Sequence, residues 1–245
     1  MSGYGYSFDD PTLMAFPLGG DDYWKSILAL SPLAYWRLNE RSGIVAADSS
    51  GKGFDGVATG VTWGQPGIGD GDTAAGFDGV NDIVDVYSTG LRDVFNGAVG
   101  TLAAWGKINA WNDGSSRFLI QLHTSTGDQV YVYKVGSTGK LSWLYDAGGV
   151  FTGYQYLPSA GEKAAWFSVA ITWEASADEV KPYFNGRLLS TRTGLGTWSG
   201  LLDSGFCNIG AVAPGVVVWD GDVAHSAVWD RVLTEREIAQ LGVVT

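Results

Sequence analysis

The sequence predicts an all-β protein: a two-sheet antiparallel jelly-roll sandwich with a short C-terminal helix and an irregular N-terminal arm. The 36 glycines among 245 residues fit many short strands joined by tight turns. Segment 166–173 (WFSVAITW) has an apolar residue at every second position, as in a strand with one face on a core. Asn185-Gly186 separates two further strand-like runs and favours a type I′ hairpin turn, because both turn positions need positive φ.

The first 30 residues differ from the rest of the chain. Residues 1–20 show neither a helical nor a strand period, and their aromatic residues are Tyr4, Tyr6, Phe8 and Phe16. A floppy terminus is one interpretation; we favour an assembly arm that packs on its own domain or on a neighbouring subunit, since disordered tails are usually poorer in aromatics. Residues 21–30 predict a short amphipathic helix that starts near Asp21 or Asp22. The arm and helix (1–30) thus precede one domain, 31–245.

Strands and turns alternate through that domain. The first predicted strand is 34–38, and loops are predicted at 48–56 and 64–72 because of their Gly, Asp and Ser content. The further predicted strands are 74–78, 82–87, 101–108, 117–122, 129–135, 141–146, 149–155, 166–173, 179–184, 187–192, 206–210 and 222–229. Near the end, Thr234 and Glu237 form a capping-box pattern, Leu233 and Ile238 a hydrophobic staple, and Gly242 a stop.

Charge and composition exclude several partner classes. The net charge is −11 and the pI about 4.4, and no run of Lys or Arg interrupts the acidity, so nucleic acid and anionic membranes are not expected partners. Cys207 is the single cysteine, which excludes an intrachain disulfide and predicts a small buried residue. The start of the chain lacks a signal-peptide pattern, so we expect synthesis in the cytoplasm and release by another route, such as lysis.

Several segments, in order, resemble the laminin-G-like jelly roll, also called the concanavalin A-like lectin/glucanase fold. The resemblance runs from about Pro32 to Val243. The segments that carry it are Leu33–Leu38 (LAYWRL) with Glu40, 48–53 with Gly56, Phe77–Asp82 (FDGVND), 101–105 (TLAAW), 166–172, 183–186 (YFNG), Ile209-Gly210, and 221–233 with Glu237-Ile238. Ser168 stands where the family normally has His in its central strand.

A narrower resemblance concerns two of these regions. Residues 23–40, which begin with Tyr23-Trp24, and 69–77 (GDGDTAAGF) resemble versions of this domain in tailed-phage virion proteins. That resemblance implies a non-enzymatic structural protein of a virion: a decoration, fibre or tail-associated subunit anchored by its N-terminal arm. The expected partners are other virion proteins, either copies of itself or a capsid or tail protein.

The sequence offers no catalytic constellation. In glucanases of the family that the sequence resembles, one strand carries an E-x-D-x-x-E motif, whose spacing places both carboxylates on one face of the sheet. This motif is missing from the sequence. Glu235 and Glu237 have the spacing but fall in the predicted helix start. His123 and His225 lie in separate strands without a G-x-S-x-G motif; we interpret His123 as a strand-end surface residue and His225 as a satisfied, half-buried one. We therefore predict that the protein is not an enzyme.

Two kinds of ligand site are left open by the residues. No cofactor is required by the predicted function, and calcium is the one metal worth testing; its candidate ligands are Asp48, Asp78, Asp82 and Asp222. The competing interpretation is that these aspartates close Asx turns. Surface glycans are the other candidate ligand, through stacking on Trp63, Trp111, Trp143 or Trp198, unless these rings are core residues. The functional alternatives are therefore a carbohydrate-binding or adhesion module of another setting and a degenerate glucanase or enzyme accessory domain.

Overall fold

Residues 23–244 are described by the computed structural model, and they form two antiparallel β-sheets packed face to face with four short helices. This confirms the predicted sandwich and the short C-terminal helix. The predicted assembly arm, with Tyr4, Tyr6, Phe8 and Phe16, lies outside the described residues, as do Asp21 and Asp22 of the predicted helix start. None of the described helices is long and apolar enough to cross a membrane.

The elements are short, as the spacing of the turns predicts. The helices are α1 (Tyr23–Ala29), α2 (Thr89–Val94), α3 (Ala160–Lys163) and α4 (Glu235–Leu241). The strands are β1 (Ala34–Trp36), β2 (Val45–Ala46), β3 (Gly56–Thr59), β4 (Thr62–Pro66), β5 (Thr73–Asp78), β6 (Ile83–Asp85), β7 (Val99–Ile108), β8 (Arg117–His123), β9 (Gln129–Lys134), β10 (Leu141–Ala147), β11 (Val150–Tyr156), β12 (Phe167–Glu174), β13 (Glu179–Phe184), β14 (Arg187–Leu188), β15 (Asn208–Ile209) and β16 (Asp220–Trp229).

Each sheet contains eight strands. Sheet A has the order β14-β13-β12-β7-β16-β5-β4, and β1 also pairs with β16. Sheet B has the order β11-β10-β9-β8-β15-β6-β3-β2. Strand β16 carries β5 beside its first residues and β1 beside its last, with a bulge between Ala224 and Ala227 where the partner changes.

The predicted hairpin is present. Asn185 and Gly186 have φ values of 48° and 72°, the pair of positive angles that a type I′ turn needs. The prediction that the second strand extends to residue 192 is wrong: β14 stops at Leu188, and beyond it only Arg192 forms an isolated bridge, to Val180. The predicted loop at 64–72 also contains the end of β4. Pro66 is tolerated there because β4 is an edge strand, where a missing N–H breaks no ladder.

Aromatic side chains dominate the core between the sheets. Five large aromatic residues of the core are less than 2% exposed: Trp36, Trp143, Trp173, Trp219 and Tyr145. Most of their polar atoms are hydrogen-bonded: the Trp173 Nε1 and the Tyr145 hydroxyl both donate to the carbonyl oxygen of Gly97, at 2.9 and 2.8 Å. Large rings with satisfied polar tips give this disulfide-free fold its buried area.

A second apolar layer covers part of the outer face of sheet A. Tyr23 and Ile27 of α1 and Ile238 and Leu241 of α4 pack with sheet residues such as Trp105. The predicted capping box of α4 is present, because the Thr234 side chain accepts from the Glu237 N–H while the Glu237 side chain accepts from the Thr234 N–H. Helices α1 and α4 therefore form a third layer, on the outer side of sheet A.

Candidate ligand-binding face

The candidate site lies on the outer face of sheet B, over β8 to β11. Val130 and Val132 of β9 are buried between the sheets, so strand alternation turns Gln129, Tyr131 and Tyr133 outward. The strand register then brings outward residues of the neighbouring strands beside them. We call Phe118, Gln129, Tyr131, Tyr133 and Asp146 the ligand face, with His123 and Phe151 at its border.

Three rings form a platform on this face. The Phe118 ring lies 4.9 Å from the Tyr131 ring and 5.0 Å from the Tyr133 ring, centroid to centroid, and the two tyrosine rings are 5.5 Å apart. All three side chains are half-buried, so each keeps surface for a partner. Burial raises the pKa of Tyr131 to about 12, with smaller contributions from Tyr133 and Asp146, so its hydroxyl is protonated at neutral pH.

A carboxylate, that of Asp146, lies beside Gln129, which is two residues before Tyr131 of the platform on β9. Asp146 pairs in register with Gln129 on one side and Phe151 on the other, and it is only 5% exposed. Its Oδ2 accepts a long hydrogen bond of 3.4 Å from Gln129 Nε2, and its buried Oδ1 has no partner. Burial raises the pKa of Asp146, which is the usual consequence of taking a carboxylate out of water. A buried acceptor without a partner costs free energy that a donor would recover.

His123 closes one end of the ligand face. Its ring lies 5.1 Å from the ring of Phe206, and its Nδ1 is buried without a partner. Burial lowers the pKa of His123, although Asp203, Asp146 and Asp128 act in the opposite direction. The histidine is therefore neutral near pH 7. The prediction of a surface position for His123 is confirmed only in part, because its side chain is half-buried.

A second polar cluster lies beneath the cover of sheet A. The Tyr35 hydroxyl is 2.6 Å from Nδ1 of His225, and His225 Nε2 is 2.8 Å from Asp70 Oδ2. Asp72 joins through Arg37, which donates to both of its carboxylate oxygens at 2.6 and 2.8 Å. His225 occupies the bulge of β16 with a φ of 48°, and its N–H donates to the Arg37 carbonyl. The cluster thus joins β1, the loop before β5 and β16.

This cluster has the donor types of a metal site but no open position. Asp70, Asp72 and His225 place one ligand atom each within 4.8 Å of one another. However, both ring nitrogens of His225 face Tyr35 or Asp70, and the side chains of His225 and Asp70 are completely buried. Burial raises the pKa of Asp70, but the hydrogen bond and charge of His225 outweigh it, so the net pKa is lowered. His225 is hydrogen-bonded through Nδ1, while its Nε2 has an ion-pair contact with Asp70 but no hydrogen bond, so the prediction of a satisfied histidine is confirmed only in part. The side chain is fully rather than half-buried because α1 covers it.

The four calcium candidates do not converge. Asp48 accepts hydrogen bonds from the N–H groups of Tyr35, Ser50 and Phe54 and from the Ser50 hydroxyl. Asp78 and Asp82 share one turn: Asp78 Oδ1 accepts from Val80 N–H, and Asp82 Oδ2 accepts from Asp78 N–H. Asp222 forms an ion pair with Lys107 at 3.1 Å. The three loop aspartates act as turn-closing residues, which is the competing interpretation of the sequence.

The four predicted stacking tryptophans have different surroundings. Trp143 is fully buried and Trp111 is 8% exposed, so the prediction that they stack on a sugar is wrong for these two. Alternation along β10 turns Trp143 inward, and Trp111 donates from Nε1 to the Lys163 carbonyl. Trp63 and Trp198 are partly buried against the core, and their role stays a prediction. The sequence signal that would have pointed to the ligand face is the i, i+2 pair Tyr131 and Tyr133 on a predicted strand.

The other candidate reactive groups lie apart from the ligand face. Glu235 and Glu237 lie in the first turn of α4, where Glu237 binds Arg231 at 2.8 Å. Cys207 is fully buried, and burial raises the pKa of its thiol to about 12. Ser168, at the family's usual histidine position, lies on the covered side of sheet A, beside a water-sized cavity that His225 also lines.

Comparison with known families gives one match. A sequence model of the concanavalin A-like lectin/glucanases superfamily matches residues 78–239, well over half of the chain. The comparison with curated protein sequences gives no match.

Several solved structures share the fold. The binding domain of botulinum neurotoxin serotype D is similar with a TM-score of 0.61 and 15% identity over 86% of this chain and 51% of that one. A Trypanosoma rangeli sialidase in complex with sialic acid gives 0.62 and 14% over 87% and 33%. A Ruminococcus gnavus IT-sialidase carbohydrate-binding module (CBM40), bound to α2,3-sialyllactose, gives 0.53 and 16% over 68% and 95%. The chain thus spans about half of the toxin domain and a third of the first sialidase, and at these identities the likeness concerns the fold.

Proposed function

The chain belongs to the concanavalin A-like lectin/glucanase superfamily, and from this premise we propose that it is a non-catalytic carbohydrate-binding module whose ligand face lies on the outer side of sheet B. The observation that carries the proposal is the joint presence of the three-ring platform and the unpartnered buried oxygen of Asp146. Rings stack on the apolar faces of sugars, and polar groups beside them fix the orientation.

The number of carboxylates on the ligand face separates this role from glycoside hydrolysis. A retaining or inverting glycosidase needs two carboxyl groups on either side of the scissile bond, about 5 to 10 Å apart. The ligand face carries one carboxylate, Asp146, whose strand neighbours are Gln129 and Phe151. Reproducible hydrolysis of a β-glucan by the purified protein would contradict the non-catalytic assignment.

The test compares two tyrosine variants on a glycan array followed by calorimetric titration of the strongest hit. Tyr131→Ala removes the platform ring that lies nearest to Asp146 along β9, and we expect it to weaken binding by about tenfold or more, which corresponds to ~1.4 kcal/mol. Tyr154→Ala is the matched control: Tyr154 is also half-buried, but it pairs with the inward Trp143 and lies on the other side of β11. We expect the control to bind like the wild type.

Two results would contradict the assignment of the binding site to the ligand face. An array without a reproducible hit contradicts carbohydrate binding altogether. Equal affinity of wild type and Tyr131→Ala for a bound glycan places the site elsewhere on the molecule.

For the biological setting, we propose that the protein is a subunit of a virion and that residues 1–20 attach it to the particle. The observation that favours this second proposal is spatial: the two segments with the narrower phage resemblance, 23–40 and 69–77, meet in the cluster of Tyr35, Asp70 and His225. They therefore form one structural unit together with β16. In such a unit the start of α1 lies on the sheet A side, and the ligand face is left free.

Deletion of residues 1–20 tests the attachment. We expect the truncated protein to keep the thermal unfolding transition of the full chain and to lose association with itself or with particles in light scattering and sedimentation. Unchanged assembly of the truncated protein would contradict the anchor. Calcium stays a prediction of the sequence, and an unfolding temperature that does not change on addition of EDTA would count against it.

A further inference from the structure

We propose that the ligand face selects uncharged sugars and discriminates against sialylated or otherwise carboxylated ones. This inference rests on the proposed carbohydrate-binding function and adds the chemical class of the ligand. It follows from the charges around the platform and from the kind of hydrogen-bonding group that the face leaves unpartnered.

The end of the face around Tyr131 and Asp146 has no cation for an anionic sugar. Within β8 to β11 the two basic residues are Arg117 and Lys134, which pair with each other in register on the opposite side of the sheet. Both are engaged by Asp113, Arg117 at 2.7 Å. Lys140, two residues before Ser142, pairs with Val135 and therefore lies at the Tyr133 end of the face, away from Asp146.

The titratable groups that border the Asp146 end of the platform are acidic or neutral. Asp146 lies on the face itself, and Asp128 and Asp203 are close enough to influence His123 electrostatically. At this end, His123 is the one group that could supply positive charge, and burial lowers its pKa. A carboxylated sugar would therefore bring a further negative charge to a partly desolvated acidic surface, where like charges repel more strongly than in water.

The unpartnered atom points to the same ligand class. Asp146 Oδ1 is a buried acceptor, and a carboxylate accepts hydrogen bonds without donating any. A sugar hydroxyl can donate to it, whereas the carboxylate of a sialic acid cannot. The amide nitrogen of Gln129 donates to Asp146 Oδ2, so the amide oxygen of Gln129 can accept from a second sugar hydroxyl. The face is thus complementary to a polyhydroxylated, uncharged ring that stacks on Tyr131.

The experiment uses the full-length protein on an array of matched glycan pairs, each printed with and without its terminal sialic acid. We expect the uncharged member of each bound pair to bind at least tenfold more tightly than its sialylated counterpart. In Asp146→Asn, which keeps an oxygen acceptor and removes the charge, we expect this preference to shrink by several-fold. Far-UV circular dichroism and thermal unfolding of the variant check that it is folded.

The outcomes separate the two proposals. A sialylated glycan bound as tightly as, or more tightly than, its uncharged partner, and lost in Tyr131→Ala, overturns the selectivity while the carbohydrate-binding face stands. A preference of wild type that is identical in Asp146→Asn also contradicts the electrostatic account. No binding to any pair contradicts the carbohydrate-binding function itself, and the selectivity falls with it. Should Asp146→Asn fail to fold, Gln129→Glu, which adds a charge at the same place, is expected to increase the discrimination.

Discussion

The outer face of sheet A is covered by α1 and α4, whereas over β8 to β11 the outer face of sheet B presents half-buried rings. Both faces carry aromatic and ionisable residues, yet they are used differently. On sheet A, Tyr23 donates from its hydroxyl to the Leu241 carbonyl at 2.8 Å and accepts from Trp105 Nε1 at 2.6 Å. On sheet B, Asp146 Oδ1 and His123 Nδ1 are left without partners, whereas the two atoms of the covered cluster that lack a hydrogen bond, His225 Nε2 and Asp70 Oδ2, lie 2.8 Å from each other.

The difference shows how the same residue types separate into stability and recognition. Under α1, the cluster of Tyr35, His225 and Asp70 joins three distant parts of the chain and leaves no position for a ligand. On the ligand face, Asp146 Oδ1 and His123 Nδ1 have no polar neighbour of this kind. Substitutions on the covered face should therefore change the free energy of unfolding, and substitutions on the ligand face should change binding.

The largest expected effect is on the covered face. His225→Ala leaves the carboxylate of Asp70 buried without its partner, and breaking a buried pair in this way costs about 3 to 5 kcal/mol. His123→Ala is the matched control, because His123 is half-buried and its Nδ1 has no partner to lose. We expect its cost to stay below ~1 kcal/mol. Urea denaturation measures the free energy of unfolding of both variants. Equal losses in the two variants would contradict the difference between the two faces.

A smaller effect is expected at α4, and it depends on pH. Arg231 is the main cause that lowers the pKa of Glu237 from 4.5 to about 2. A carboxyl group with a lowered pKa in the folded state stabilises the fold above its unfolded pKa, and this contribution is lost as the pH falls through the folded pKa. Glu237→Gln should therefore cost about 1 kcal/mol at pH 7, after allowance for solvent screening at this partly exposed pair.

The pH profile is the discriminating measurement for this pair. The stability difference between wild type and Glu237→Gln should shrink as the pH falls from about 4.5 to about 2. A difference that is constant over this range would show that the glutamate acts only as a cap and not through its charge.

The smallest effect on stability is expected at the platform. Phe118→Ala removes a half-buried ring of the platform and should lower the free energy of unfolding by about 1 kcal/mol or less, within the usual range of an aromatic contact. Binding of an array-positive glycan should nevertheless weaken several-fold. A variant that is strongly destabilised and binds normally would reverse the roles of the two faces.

The parts of the fold that local sequence encodes could be predicted. Asn185-Gly186 defines its own turn through two positive φ angles, and the Thr234 capping box positions α4 through contacts within four residues. The short strands β2 and β3 were missed because two to four residues carry too little alternation to register.

The sites depend on contacts that sequence periodicity does not encode. Tyr131 and Tyr133 share a face on any strand, but their contact with Phe118 depends on a register that shifts at a bulge in β8. The cluster at His225 joins residues 35, 70 and 225 and requires the bulge in β16, where alternation gives the wrong direction for one residue. The tryptophans seemed better stacking candidates because of their size, and burial between the sheets removed two of them.

The most direct test of the ligand face is a crystal structure, or a map of NMR chemical-shift changes, of the full-length protein with the uncharged glycan that binds most tightly on the array. We predict that the sugar ring lies over Tyr131, between Phe118 and Tyr133, with a hydroxyl toward Asp146. A glycan bound in the loops at an end of the sandwich, or against α1 and α4 on sheet A, would contradict this account.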